Sequence, residues 1–184
     1  AAGANYENLD ISDTATVTIE DTTDTTTVTL GDVTVDEGTG TATISASVDN
    51  AVTGTDLVLS LDNGQTITIA VGQTAGVSTP FAIQGEDPYV DGESYSVGIT
   101  SAAGANYENL DISDTATVTI EDTTDTTTVT LDDVTVNEDQ TITYTASVDE
   151  PPEGAFAVTL DNGVVINFAD GATKGISYKA TVDN

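Results

Sequence analysis

The 184-residue chain contains no cysteine, histidine, methionine or tryptophan. No disulfide can staple it, and neither thiolate nor imidazole is available as nucleophile, general base or soft metal ligand. A lack of disulfides leaves an extracellular location open; it removes only one positive sign of it. Cationic side chains are almost as scarce. Lys174 and Lys179 stand alone against 32 acids, for a formal charge of −30. From Ala1 to Thr173 there is no basic residue at all, so surface ion pairs cannot offset the acids over most of the chain. Self-repulsion then works against the compact state unless ions from solution compensate. Nucleic acid and anionic membrane surfaces are poor partners, because both require basic patches. No apolar run approaches the roughly 18 residues of a membrane helix, so direct membrane insertion is not expected. Divalent cations are the natural partner for such a chain.

What the sequence does have is repetition. Ala1 to Leu30 reads AAGANYENLDISDTATVTIEDTTDTTTVTL, and Ala102 to Leu131 reads the same without one substitution. Tyr6 recurs as Tyr107, which sets the period at 101 residues. That is too long for a solenoid unit of about 20–50 residues and fits one small domain. Identity at surface positions, where folds tolerate change, points to recent tandem duplication. The chain therefore reads as an excerpt from a string of near-identical domains.

Alternating apolar and polar residues, abundant Thr and Val, and turn signals every eight to twelve residues mark short antiparallel strands, with no helical period. The inward residues are expected to be Val28, Leu30, Val33 and Val35, then Ala42, Ile44, Ala46 and Val48. Leu57, Leu59, Leu61, Ile67, Ile69 and Val71 follow. The later strands place Val77, Phe81 and Ile83, Tyr95, Val97 and Ile99, and Ala116, Val118 and Ile120 on that face. Asp62-Asn63-Gly64 signals a hairpin turn, and Pro80 signals an edge or bulge. Seven strands in about 100 residues predict tandem immunoglobulin-like β-sandwich domains, an all-β fold. On this reading 25–125 is one complete repeat and 1–24 is the last-strand region of a preceding one. Residues 126–184 are the first part of a diverged third, with Ile176, Tyr178, Ala180 and Val182 replacing Val77, Thr79, Phe81 and Ile83. Both terminal units are then incomplete, and end-to-end pairing between them is possible.

A sandwich sorts its loops between two poles. Asp36 and Glu37 lie after the first strand, and Glu86, Asp87, Asp91 and Glu93 in or beside the loop before the sixth. Glu121 and Asp122 end the last strand, with Asp125 in the linker. Far apart in sequence, these acids are expected to meet at the junction with the next unit. Hard oxygen donors, without imidazole or thiolate and with room for six to eight contacts, describe a Ca²⁺ site. Mg²⁺ fits less well because it keeps its waters. At the opposite pole Asp49, Glu108, Asp111 and Asp114 either complete a neighbour's coordination or bind a separate ion, unless Asp114 simply caps the loop entering the last strand.

The run VTVDEGTGTATI, with an acidic loop before the sixth strand and an acidic exit from the last, resembles the Calx-β domains. Over its whole length, through FAIQGEDPYVDGESYSVGI and NYENLDISDTATVTIEDTTDTTTVTL, the chain is similar to the extender repeats of bacterial large RTX adhesins. That resemblance implies secreted, immunoglobulin-like repeats at the bacterial cell surface, stiffened by junctional Ca²⁺ and used in attachment and biofilm formation. Carried over, it places Glu37, Glu86, Asp87, Glu121, Asp122 and Asp125 at one junction and Glu20, Asp21 and Asp24 at the one before. Asn137 stands where Asp36 does in the preceding copy. The glycine-rich nonapeptides of that family's terminal region are absent. The leading function is therefore a calcium-rigidified spacer that projects a distal binding domain, with neighbouring repeats as its partners. The alternatives are an adhesive module binding glycan, ice or protein, and a strand-exchanging filament subunit. An enzyme is not expected, since no nucleophile–base pair is present and few aromatics could line a sugar cleft for a carboxylate pair.

Overall fold

The structure, a computed structural model, describes residues 5–180, without the side chains of Tyr178 and Ala180. Ala1–Ala4 of the repeated segment and Val182 lie outside it. Among the described residues there is no α-helix. The first part of the fold contains β1 (Thr25–Gly31), β2 (Val33–Asp36), a single 3-10 turn (Glu37–Thr39), β3 (Thr41–Ala42) and β4 (Ser45–Val48). It continues through β5 (Leu57–Leu61), β6 (Thr66–Ile69), β7 (Ala75–Val77), β8 (Phe81–Ala82), β9 (Glu93–Ala103), β10 (Asn109–Asp111) and β11 (Thr115–Glu121). Then come β12 (Val129–Leu131), β13 (Thr141–Val148), β14 (Phe156–Thr159), β15 (Val165–Phe168) and β16 (Lys174–Ala180).

Two sheets face each other in residues 25–121, a four-stranded one ordered β10-β1-β4-β7 and a five-stranded one ordered β2-β11-β9-β5-β6. Between them the alternating residues close a core in which Val28, Ile44, Leu57, Leu59, Ile67, Ile69 and Val118 are wholly buried. Each such side chain contributes roughly 1.5–3 kcal/mol relative to exposure. The all-β sandwich is as the alternation requires. A second, separate cluster gathers Ala146, Val148, Val164, Ile166 and Phe168, served by the sheets β12-β13-β16 and β14-β15. There the Phe156 and Phe168 rings stack at 4.6 Å.

The hairpin at Asp62-Asn63-Gly64 is present, with Gly64 at φ 82° and Leu61 N donating to Gln65 O at 2.8 Å. Pro80 stands in the break between β7, which pairs with β4, and β8, which pairs with β3. Two expected inward residues face out instead: Val71 is 48% and Val77 58% exposed. The phase of β7 is set by its backbone rather than by its valine. A Cβ on Gly76 would come within 2.5 Å of Thr68 O, so only glycine fits at that inward position. Buried Ser78 then accepts a hydrogen bond from Ile44 N at 3.0 Å. The third copy repeats the arrangement. A Cβ on Gly175 would lie 2.7 Å from Asn167 O, and Ile176 is exposed.

Without cations, the acids take backbone amides as partners. Asp32 accepts from Thr117 N at 2.7 Å, Asp62 from Gly98 N at 3.0 Å and Asp114 from Leu30 N at 2.9 Å. Hydrogen bonds to an ionised acceptor are stronger than neutral ones, so these carboxylates fasten strand to strand without an ion pair.

The duplicated heptapeptide TATVTIE takes two conformations. At Thr115–Glu121 it is β11, parallel to β2 and antiparallel to β9. At 14–20 it forms no strand, and Val17 and Ile19 are 83% and 90% exposed.

Candidate metal centre

The inward stripe of β11 runs Ala116, Val118, Ile120 and, two residues on, Asp122. That of β2 runs Val33, Val35 and then Glu37. The two strands are parallel, with Val35 opposite Ile120 and Asp36 opposite Glu121. Period-two alternation therefore brings Glu37 and Asp122 side by side at the same end of the sheet and turns Asp36 and Glu121 outward. Glu37 is wholly buried, in the 3-10 turn that follows β2. Its Oε1 accepts from Thr123 N at 3.0 Å and from the Thr123 hydroxyl at 3.3 Å. Its Oε2 is buried with no hydrogen-bond partner, and so is Asp122 Oδ1.

A third acid arrives from the loop before β9. A Cβ on Gly92 would lie 3.0 Å from Ile120 O and 3.1 Å from Asp122 N. Glycine at that position lets the loop pass against the exit of β11, and the preceding residue, Asp91, joins the group. Carboxylate oxygens of Glu37, Asp91 and Asp122 all lie within 4.8 Å of one another. No lysine or arginine occurs between Ala1 and Thr173 to balance them.

Glu86 borders this trio. Thr123 donates its hydroxyl to Glu86 Oε1 as well as to Glu37. That bond lowers the Glu86 pKa, but a carboxyl–carboxyl hydrogen bond with Asp125, loss of solvent and the charges of Asp125 and Glu37 outweigh it, leaving Glu86 above the ordinary glutamate value. The neighbouring negative charges thus disfavour the ionised form of Glu86.

The other expected ligands lie elsewhere. Asp87 Oδ1 accepts from Tyr89 N at 2.9 Å and shapes its own turn. Glu121 is exposed beside Asp36. Glu20, Asp21 and Asp24 are exposed in the segment without strands, where Asp24 N donates to Glu108 Oε2 at 2.6 Å. At the opposite pole Asp49 accepts from Thr27 N at 3.2 Å, and Asp111 from Ser113 N at 3.0 Å. The latter bond, through both the hydroxyl and the amide of Ser113, holds the Asp111 pKa below its usual range. Asp91 was legible among the converging acids but not within the ligand set that the family resemblance implies. The sequence signal for it is the glycine that follows.

Residues 24–123 and 125–184 match the LapA domain, one segment after the other. The chain belongs to the LapA domain family. LapA is a large, biofilm-related bacterial adhesin, so the family places this chain among adhesin-type domains associated with bacterial surface attachment and a cell-surface location rather than among enzymes. No curated protein matches the chain. No helix among the described residues is long and apolar enough to cross a membrane.

Proposed function

We propose that this LapA-family chain is an extender segment of a bacterial surface adhesin, whose repeats are stiffened by Ca²⁺ held at Glu37, Asp91 and Asp122, with Glu86 at the rim. Residues 25–125 form one repeat, and 126–184 begin the next. The observation that carries the reading is Glu37: a wholly buried carboxylate with one oxygen unpartnered, facing two further carboxylates. Burying charge without a partner is costly, and a hard cation with oxygen ligands supplies the missing partner. Three segments distant in sequence would be tied by the ion: the turn after β2, the loop before β9 and the exit of β11. That exit leads directly into the next repeat, so order gained there limits its swing.

Calorimetric titration of the chain with CaCl₂ tests the site. Extracellular modules bind Ca²⁺ with Kd on the order of 10⁻⁴ to 10⁻³ M, and that range is expected here. Glu37→Gln and Asp122→Asn should each weaken binding at least tenfold, whereas Glu121→Gln should leave it unchanged. Small-angle scattering should show a shorter, more variable particle in EDTA. Equal affinity in all three variants, or no heat at all, would remove the calcium reading.

A second reading concerns strand exchange. Residues 14–20 duplicate β11, and residues 134–137 nearly duplicate β2, yet Val17, Ile19, Val134 and Val136 are all exposed. Each stretch is the complement of the other in the register Val118–Val33 of the first sandwich, so pairing between copies would cover both. Sedimentation across a concentration series separates the readings, since a concentration-independent monomer excludes exchange.

A further inference from the structure

The loop from Glu86 to Gly92 has a second contact. At one end Asp91 meets Glu37 and Asp122. Midway, the Tyr89 hydroxyl donates to the carbonyl oxygen of Pro151 at 2.5 Å. Pro151 lies in the turn after β13, which belongs to the second hydrophobic cluster. Among the described residues this is the one hydrogen bond between residues 25–125 and 126–180. Around it, Pro88, Tyr89 and Val90 form one wall of a cleft of about 520 Å³, and Val148, Pro152 and Phe156 form the other.

Both sides of this contact are held in place before they meet. Tyr89 follows a proline, and its own amide is fixed by Asp87 Oδ1. The acceptor sits in a Pro151-Pro152 pair, where two rings each fix φ near −65°, so little chain entropy is lost in presenting the carbonyl. The corresponding turn after β4 reads Asn50-Ala51-Val52, and there the Asn50 carbonyl accepts from Tyr107 of the same sandwich at 2.6 Å. A tyrosine hydroxyl on a turn carbonyl is thus used within one repeat and again between repeats.

We infer that Tyr89 is a latch between residues 25–125 and the repeat that follows them: by docking on the Pro151-Pro152 turn it converts order in the Glu86–Gly92 loop into a fixed angle at this junction. The latch contact stands on its own geometry, and only its control by an ion rests on the calcium reading above. An ion that held Asp91 would restrain a loop of seven residues and keep Tyr89 near its acceptor. Without the ion the latch would have to order the loop itself.

Because the chain has no cysteine, spin labels can be placed at Thr66→Cys on β6 and Asn167→Cys on β15, both exposed. Electron–electron distance measurements then read the spread of inter-repeat geometries. In CaCl₂, Tyr89→Phe, which keeps the ring and loses the hydroxyl, should broaden the distribution at least twofold. Calorimetric Ca²⁺ binding should persist, with affinity lowered only by the factor by which the ion favours the latch. A Tyr89→Phe distribution as narrow as the parent's would overturn the latch. The metal reading is judged separately, by the parent's heat of binding and its response to EDTA. If no ion binds and Tyr89→Phe still broadens the distribution, the latch stands and the metal reading falls.

Discussion

Truncating Val118 to alanine should destabilise the first sandwich, whereas the same change at Val17, inside the same heptapeptide, should do almost nothing. Val118 has no exposed surface and pairs with Val33 on one side and Tyr95 on the other. Removing its two methyl carbons forfeits about 0.8 kcal/mol each in transfer free energy. The void left behind adds to that, because close-packed neighbours relax only partly. The total is about 2–3 kcal/mol. With roughly 4–8 °C of melting temperature per kcal/mol in a domain of this size, the sandwich should melt about 10–20 °C lower. Val17 is 83% exposed, and surface substitutions usually stay within about 0.5 kcal/mol. Differential scanning calorimetry on both variants, in CaCl₂ and in EDTA, measures the contrast. Val118 lies four residues from Asp122, so the difference should persist without ion. Equal losses at the two positions would refute the claim that partners, not local sequence, give this heptapeptide its structure.

The ion itself should stabilise the folded chain by about 2.7 kcal/mol at a hundredfold excess over Kd, so EDTA should lower the melting temperature of the parent and that of Asp122→Asn by about half as much or less. Gly76→Ala should cost about 1–3 kcal/mol by overpacking, since its Cβ would meet Thr68 O at 2.5 Å; urea unfolding reads this. The Asp149 pKa is lowered chiefly by the hydrogen bond from Thr128 N, so its stabilising contribution is present above the unfolded aspartate pKa and is lost as pH falls through the lower folded value. The Glu86 pKa is raised, which gives the opposite sign. In ion-free protein its contribution is present at low pH and lost as pH rises through the folded value, and Asp125→Asn should bring that value down. Carbon-detected NMR titration follows both carboxyls directly.

Much of the candidate site could be read before the fold was known. Acids at three loops, no cations to balance them and a sandwich to gather them were enough to expect convergence at one pole. Within that pole the selection depended on strand phase. Glu37 and Asp122 continue the inward stripes Val33-Val35 and Val118-Ile120, while their neighbours Asp36 and Glu121 fall on the outward face of the same parallel pair. Asp91 enters because Gly92 allows a loop to touch a strand that lies some thirty residues further along the chain. Asp87, by contrast, is used up by its own turn, a local bond that competes with any distant ligand.

By itself the sequence determined the alternation that makes strands, the glycine turns that end them and a charge so one-sided that its carboxylates must use backbone amides, protons or ions. It did not determine which alternating stretches become strands. TATVTIE at Thr115–Glu121 is a buried strand because β2 and β9, both distant in sequence, flank it. Helical hydrogen bonds close within four residues, but every hydrogen bond of a strand goes to another part of the chain. The local pattern supplies a surface fit for pairing, and only the tertiary structure provides the neighbour that makes it a strand.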